Sequence, residues 1–535
     1  MGNHSGVIAA GDKGTAAAGA AILEQGGNAV DAAVGAAFAS FIAEIGVVHL
    51  GGSGIAQIFD PQQGSAITYD FFSAMPGLGS SRAVEALDFE KVTINFGPTT
   101  QDFYLGRGSV AVPGNIFGLC RMAADHGRLP LATILQPAIR LAKEGLSIAP
   151  FQAETCDLLR PLYTHTPEMR SVFLKDGRII QPHDHLFIPN LAETLEQLAQ
   201  EGVDFARNGR LAQAILNDQA MNGGLLTARD LESYEVFQRP SIRLRYRAYD
   251  ILLPPPSSSG GTLTAFTLKL LSHFELAAIP HGSTRYMQLL YEAMAATTRA
   301  RPVWDKTIEE QTAEDAIGYF LSDVFVFHYV REVQAAIEGE AQFPAFTEPT
   351  FHPDTSHLSV IDGDGLAVSL TTTAGESAGY IVPGTGYIPN NILGEADLHP
   401  NGFHSSPPGE RIATMMTPTI VLKDGRIRLV LGSGGSIRIR SAILQVLTNL
   451  LDYHMSLDKA VNTNRIHLEE GVLQCEAGYD SAAVDGLEEL GYEVNRWDKR
   501  SIYFGGAHSV SWSEDGRLVA AGDNRRGGSV ASVEG

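Results

Sequence analysis

The chain has 535 residues, 44% of them hydrophobic and 19% charged, with a formal net charge of −22. This composition is globular, not disordered, and the length exceeds what a single core usually supports, so it predicts one large intimate assembly or two domains. An acidic surface repels phosphate backbones and anionic lipid, which sets nucleic acid and membrane aside as partners and leaves a soluble acidic enzyme as the expectation.

The three cysteines, Cys120, Cys156 and Cys475, are odd in number and widely spaced. That spacing builds neither a disulfide framework nor a metal site and fits a reducing compartment. The start, MGNHSGVIAAGDKG, lacks a basic segment followed by an apolar core, so no signal peptide is read and a cytoplasmic location is expected. The longest apolar stretch, Ala29 to Ala43, contains Asp31 and is too short to span a bilayer.

In chain order, residues 15–25 predict a helix closed by Gly26-Gly27. Asn28 caps a second helix, AVDAAVGAAFASFIAE, whose alanines and glycine suit close packing against helices or a sheet. Residues 55–60 and 66–72 read as a hairpin around PQQGS. Helices are expected over 130–145, 191–201 and 207–218. The run LLPPPSSSGG (252–261) breaks both periodicities and reads as a linker or as a rigid loop near a site. Helices resume at 262–275 and 284–300, and 334–354 is loop-like with Pro344, Pro349 and Pro353.

From 355 the texture changes. HLSVI-DGDG-LAVSLTTT, PTIVL-KDG-RIRLVLG and HSVSW-SEDG-RLVAAG are three hairpins turning at Asp-Gly. Helices are expected between them at 437–453, 456–463 and 479–490. Antiparallel pairs interleaved with helices predict an α+β protein with sheets packed face to face and helices outside.

The first hairpin carries chemistry. Folded about Asp362–Gly365, it brings Thr355 opposite Thr372, or opposite Thr373 if a bulge shifts the ladder by one. A threonine hydroxyl is a weak nucleophile without a base beside it, and a free α-amine on the same residue supplies one. Such an amine titrates near about 7.7–8.0, which suits base catalysis at neutral pH. Freeing it requires cutting the Asp354–Thr355 bond. Attack of the Thr355 hydroxyl on the Asp354 carbonyl, an acyl shift to oxygen and hydrolysis would do so.

The stretch DTSHLSVIDGDGLAVSLTTT resembles the precursor junction of γ-glutamyltransferases, N-terminal-nucleophile hydrolases in which a threonine followed by Thr/Ser-His begins the small subunit. GGNAVDAAV (26–34), HLGGSG (49–54), PPPSSSGG (254–261), Asn390-Asn391, TPTIVLKDG (417–425), GSGGS (432–436) and AAGDNRR (520–526) resemble further parts of that family in the same order. The resemblance implies an αββα four-layer sandwich, cut into a large subunit 1–354 and a small subunit 355–535 that stay together, singly or as a dimer of such pairs. It implies Thr355 as nucleophile and, through its amine, base, with Thr373 assisting cleavage. It places an oxyanion hole at Gly434 and Gly435, or with Ser436 as second donor if no gap is allowed; a glycine loop between a strand and a helix start suits that role physically. No cofactor or metal is implied.

Substrate-binding positions implied by the resemblance include Asn391, Thr414 and Met415, Phe72, and Glu395 or Asp397 for an α-ammonium. Two of these depart from the family. The arginine that grips the glutamyl α-carboxylate is replaced by Phe72 within Asp70-Phe71-Phe72-Ser73, and the usual serine pair is Thr414-Met415. A carboxylate removed from water without a cation costs several kcal/mol. Either Arg438 or Arg440 therefore moves in, or the substrate lacks that carboxylate. The expected activity is cleavage of γ-glutamyl or related amides, with non-glutamyl amides of the cephalosporin-side-chain kind as the alternative.

Three rival readings compete. Gly375-Glu376-Ser377-Ala378-Gly379 matches the G-x-S-x-G elbow of serine esterases, which requires a helix after the serine. A silent scaffold would be expected to lose Asp354, Thr355, Thr373 or the glycine loop, and all are present. His352 and His357 flank the junction without any H-E-x-x-H pattern. Residues 394–410, polar and rich in Pro and Gly, read either as a lid over the site or as a surface loop.

Overall fold

The computed structural model describes residues 5–95, 100–341, 343, 355–399, 401–513 and 515–534, with the side chain of Asp397 outside the description. Strand β1 (Gly6–Ala10) leads into α1 (Lys13–Glu24) and α2 (Ala29–Ala43), followed by the hairpin β2 (Ser53–Asp60) and β3 (Ser65–Phe71). Helices α3 (Asn115–His126) and α4 (Gln136–Glu144) come next, then strands β4 (Phe237–Pro240), β5 (Ile242–Tyr246) and β6 (Tyr249–Leu253). Helices α5 (Ser259–Leu271), α6 (Thr284–Glu310) and α7 (Asp323–Glu338) precede β7 (Ser356–Asp362) and β8 (Ala367–Thr373). The remainder contributes β9 (Thr419–Lys423), β10 (Arg426–Leu431), α8 (Arg438–Leu451), β11 (Ser509–Trp512), β12 (Leu518–Ala521) and β13 (Ser529–Val533).

Seven strands form one antiparallel sheet in the order β4-β3-β2-β8-β7-β1-β13, and six form a second in the order β5-β6-β9-β10-β11-β12. Alternation along each strand divides the side chains. Val7, Ala9 and Ile361 of the first sheet meet Leu252, Ile420, Leu422 and Val430 of the second in a dry interlayer. Ile8, Leu358, Val360 and Leu370 point the other way and pack on α1 and α2. Leu253, Val421 and Leu429 meet the helical layer of α5, α6, α7 and α8. The result is the four-layer αββα sandwich.

Helix α2 is buried along its whole length, so its sequence shows no polar stripe. Asn28 accepts from the amides of Val30 and Asp31 while the Asp31 carboxylate accepts from the Asn28 amide, a complete capping box. The carboxylate of Asp362 ties this end to the sheet: it accepts from the Ala29 amide at 2.9 Å and from Asp364 and Leu366 within its own turn, both at 3.0 Å.

Several expectations shift by a few residues, and some fail. The 130–145 helix is split at Leu135. The run 252–261 is neither linker nor wholly loop: β6 runs to Leu253 and α5 starts at Ser259, whose preceding Ser258 accepts from the Gly261 amide. Helix α6 continues to Glu310 through Pro302. Helix α7 lies partly in the stretch read as loop, and a small sheet (466–469, 472–475, 494–496) has no counterpart in the expectations. All three Asp-Gly hairpins form. No described helix is long and apolar enough to cross a membrane.

Candidate active site

Thr355 stands immediately before β7, 5% exposed. The register of β7 with β8 pairs Ser356 with Thr372 and Ile361 with Ala367, so the turn is one residue longer than a 361–366 pairing and Thr355 falls opposite Thr373. Odd-numbered residues of both strands face the second sheet, as Ile361 and Ala367 show, and the two hydroxyl-bearing residues therefore share that face. Thr373 Oγ1 accepts from the Gly375 amide at 3.1 Å.

Gly375 turns with φ +66°, and a β-carbon there would collide with the Glu395 carboxylate and the Asn391 carboxamide. Glycine at this position thus lets a buried acid, 1% exposed, approach within two residues of Thr373. Asn391 Oδ1 accepts from the amides of Glu376 at 2.7 Å and Ser377 at 3.1 Å, and Asn390 holds Ala111 and Gly51. Glu395 and Asn391 are thereby brought to the nucleophile end; Asn391 acts as a brace. Asp397 lies in a short 3-10 turn (Ala396–Leu398).

The glycine loop connects β10 to α8 and passes directly over Thr355. A side chain at Gly434 would overlap the Thr355 carbonyl oxygen. The Gly434 amide donates to Gly506 O at 3.3 Å. Gly435 has φ +116° and Ser436 φ +52°, and α8 begins with the Arg438 amide donating to Gly435 O at 3.0 Å. Among the described residues, no hydrogen bond engages the Gly435 amide.

A buried ionic cluster supports this loop. Asp523 Oδ2 accepts from Arg465 at 2.6 Å and from the Ala507 amide at 2.9 Å, while Arg525 spans Glu476 and Asp523. Burial opposes the charge on Asp523, but Arg465 and Arg525 outweigh it and hold the carboxyl below its usual range. Arg526 reaches the Thr355 carbonyl with Nη1 at 3.5 Å. Asp523, Arg525 and Arg526 lie in the AAGDNRR segment that resembles the family, whereas Arg465 and Glu476 carry no sequence signal.

Phe72 is fully buried. Its carbonyl accepts from Tyr234 Oη at 2.8 Å and from Arg411, whose Nε lies 3.7 Å from Asp70. Of the two arginines weighed as replacements, Arg438 holds its guanidinium 4.9 Å over the Tyr503 ring, and Arg440 lines a small cavity with Thr264, Thr297 and His467 within the helical layer. The Thr414 hydroxyl accepts from the Met416 amide at 3.2 Å, and its main chain pairs with Ser257 and Gly260. Met415 is 9% exposed beside them.

His357 is a core residue: Nδ1 meets Thr371 Oγ1 at 2.8 Å, Nε2 meets Ser359 Oγ at 2.9 Å, and burial holds it neutral, well below its usual pKa. Ser377 follows a strand, but the segment after it is coil up to Asn391, so the esterase elbow does not form, and its Oγ accepts from the Gly379 amide. The 394–410 segment is anchored, with His404 Nε2 donating to Gly108 O at 2.8 Å and Phe403 4.6 Å from the Tyr104 ring. Asp354 and His352 lie outside the described residues.

A threonine at the head of a central strand, with a second threonine beside it, a glycine loop across it and an αββα frame around it, is the arrangement of the N-terminal-nucleophile hydrolase class. Within that class the chain belongs to the gamma-glutamyltranspeptidase family, whose profile matches residues 15–533. It is 34% identical over 525 residues to the acylase ACY 1 proenzyme of Pseudomonas sp. (strain SE83), covering 97% of this chain and 92% of that protein. It is 28% identical over 541 residues to the glutathione hydrolase proenzyme of Escherichia coli (strain K12), covering 97% and 90%. In fold it is similar to the cephalosporin acylase from Bacillus halodurans, with TM-score 0.83 at 24% identity, covering 100% of this chain and 96% of that one. The protein is an enzyme of this transpeptidase and acylase type.

Proposed function

We propose that the chain cuts itself between Asp354 and Thr355 into subunits 1–354 and 355–535, which remain associated, and that Thr355 then hydrolyses an amide whose acyl group lacks an α-carboxylate. The observation that carries this reading is Thr355 at the head of β7, opposite Thr373 and beneath the glycine loop.

The freed α-amine takes the proton from Thr355 Oγ1, and the oxygen attacks the amide carbonyl. The glycine loop receives the developing oxyanion through the Gly435 amide and one neighbouring amide, that of Gly434 or Ser436. Collapse returns the proton to the leaving amine, and water releases the acyl group by the same route. Thr373 fixes the nucleophile's rotamer, and Glu395 offers a buried carboxyl to a cationic or N–H-bearing acyl substituent. Replacement of the usual arginine by Phe72, with Arg411 engaged by a main-chain carbonyl and Asp70, favours acyl groups without a carboxylate there. That about a third of positions are shared with a protein named acylase supports the same choice.

Intact-mass analysis with N-terminal sequencing tests the maturation. Fragments of 354 and 181 residues (535 − 354 = 181) are expected, the second starting Thr-Ser-His, with an uncut chain for Thr355→Ala. A panel of γ-glutamyl and non-glutamyl amides tests the substrate, and cleaved protein that turns over no amide would overturn the enzymatic reading.

A further inference from the structure

The residue after the nucleophile is held by an acid that the reaction above does not use. Ser356 points away from Thr355, through the first sheet towards the helices. There its hydroxyl donates to Glu44, the residue that ends α2. The same carboxylate accepts from Thr15 Oγ1 at 2.7 Å, on α1, and from the Gly11 amide in the turn after β1. Gly11 lies so close that a β-carbon on it would overlap the carboxylate. Glu44 is 2% exposed. Hydroxyls from α1 and β7 thus converge on it, and Asp12 is the charged neighbour that acts on it.

We propose that Glu44 is a positioning residue that, through Ser356, pins the main chain at Thr355 for both self-cleavage and turnover; the inference rests on Thr355 being the nucleophile. Once the bond before Thr355 is cut, residue 355 is a chain end, and an α-amine serves as base only if that end stays where the bond left it. Thr355 has the glycine loop and Arg526 on its carbonyl side, and Ser356 is the first residue whose side chain reaches the opposite layer. The Glu44 anchor is itself rigid, because it closes a fully buried helix. Burial pushes Glu44 up to about 7, against the pull of the Ser356 and Thr15 hydroxyls, and Asp12 adds to the rise. A protonated Glu44 accepts more weakly from the Ser356 hydroxyl than the carboxylate does, so the anchor's grip loosens as the acid takes up its proton.

The test compares Glu44→Gln, Ser356→Ala and the double variant in the full chain, with Thr355→Ala as reference. The expected result is slower conversion of the 535-residue precursor by intact mass, and kcat on the best amide reduced about tenfold to a hundredfold with KM little changed. The double variant should be no worse than the more affected single one, because both remove one contact. The acid limb of the wild-type cleavage rate should shift in Glu44→Gln. Should Glu44→Gln fail to fold by circular dichroism, Ser356→Ala, which removes a single hydroxyl, carries the test. Wild-type cleavage and kcat in Ser356→Ala, or multiplicative effects in the double variant, would overturn the proposal. Cleavage at 354/355 in Thr355→Ala would instead overturn the nucleophile assignment, so the two failures are distinguishable.

Discussion

Thr355 and Thr373 share a face because directly opposed residues of an antiparallel pair project to the same side. Which threonine stands opposite depended on a single residue of turn length, decided by Asp362: it accepts from Asp364 and Leu366 and so closes a loop one residue longer than the simplest fold-over. Gly434 is the most constrained position at the site. Gly434→Ala is expected to abolish both self-cleavage and turnover, since its methyl would overlap the Thr355 carbonyl oxygen, main chain against main chain with no flexible side chain to yield. Intact mass and amide assays check this, and a cleaved, active variant would contradict the close approach. Thr373→Ala is expected to slow self-cleavage about tenfold or more while leaving the fold intact, because it removes one hydroxyl on the face of Thr355 that accepts from the Gly375 amide. A time course of precursor conversion reads it out.

At the scale of elements, α2 matters beyond its own stability. Its N-terminus is capped by Asn28 and tied to the hairpin turn by Asp362, and its C-terminus carries Glu44 against Ser356. The helix thus joins both ends of strand β7. Asn28→Ala removes the cap, and a stability loss of about 1 kcal/mol is expected, seen as a lower denaturation midpoint. The capping box was visible as Asn28 followed by Asp31, as was the run of small residues. The role of Glu44 was not: one acid at the end of an apolar helix looks like an ordinary solvent-facing terminus until the fold shows β7 beside it. Similarly, LLPPPSSSGG reads as a linker or a rigid loop, yet it holds the end of a core strand, a serine cap and the start of a buried helix, because tertiary packing overrides the local breaking tendency of Pro and Gly.

At the scale of the whole molecule, burial suppresses charge on histidine. His49, His399 and His508 are each lowered to about 4 by desolvation, against about 6.5 in an unfolded chain. Between these values the unfolded chain binds more protons, so each histidine's contribution to stability is present above pH ~6.5 and is lost as pH falls towards ~4. Glu44, raised to about 7, and Asp12, raised to about 6, act in the opposite sense: their contribution falls as pH rises through the same region. The sign is tested by difference. Against His49→Gln in a Thr355→Ala background, which keeps one uncut chain, the parent should lose up to about 3 kcal/mol relative to the variant between pH 7 and 4. Urea titrations at a series of pH values measure it, and a constant difference would show that His49 is not held neutral.

The amino-acid sequence by itself determined the α+β class, the three hairpins and a glycine loop between a strand and a helix, because each rests on local signals: period-two alternation, Asp-Gly turns and residue types at fixed spacing; Thr355 stood out through the family resemblance. It also showed that Phe72 replaces the cation a glutamyl carboxylate would need. Only the tertiary structure decided what answers that loss, keeping Arg438 and Arg440 in the helical layer and tying Arg411 to a main-chain carbonyl and Asp70. It decided, too, that Gly506 occupies the Gly434 amide, that four charged residues far apart in sequence brace the loop, and that Glu44 grips Ser356. The physical reason is common to all of these. Whether a polar group is available or committed depends on which partner the packing brings within hydrogen-bond reach, and Ser356 is 312 positions from the carboxylate that holds it.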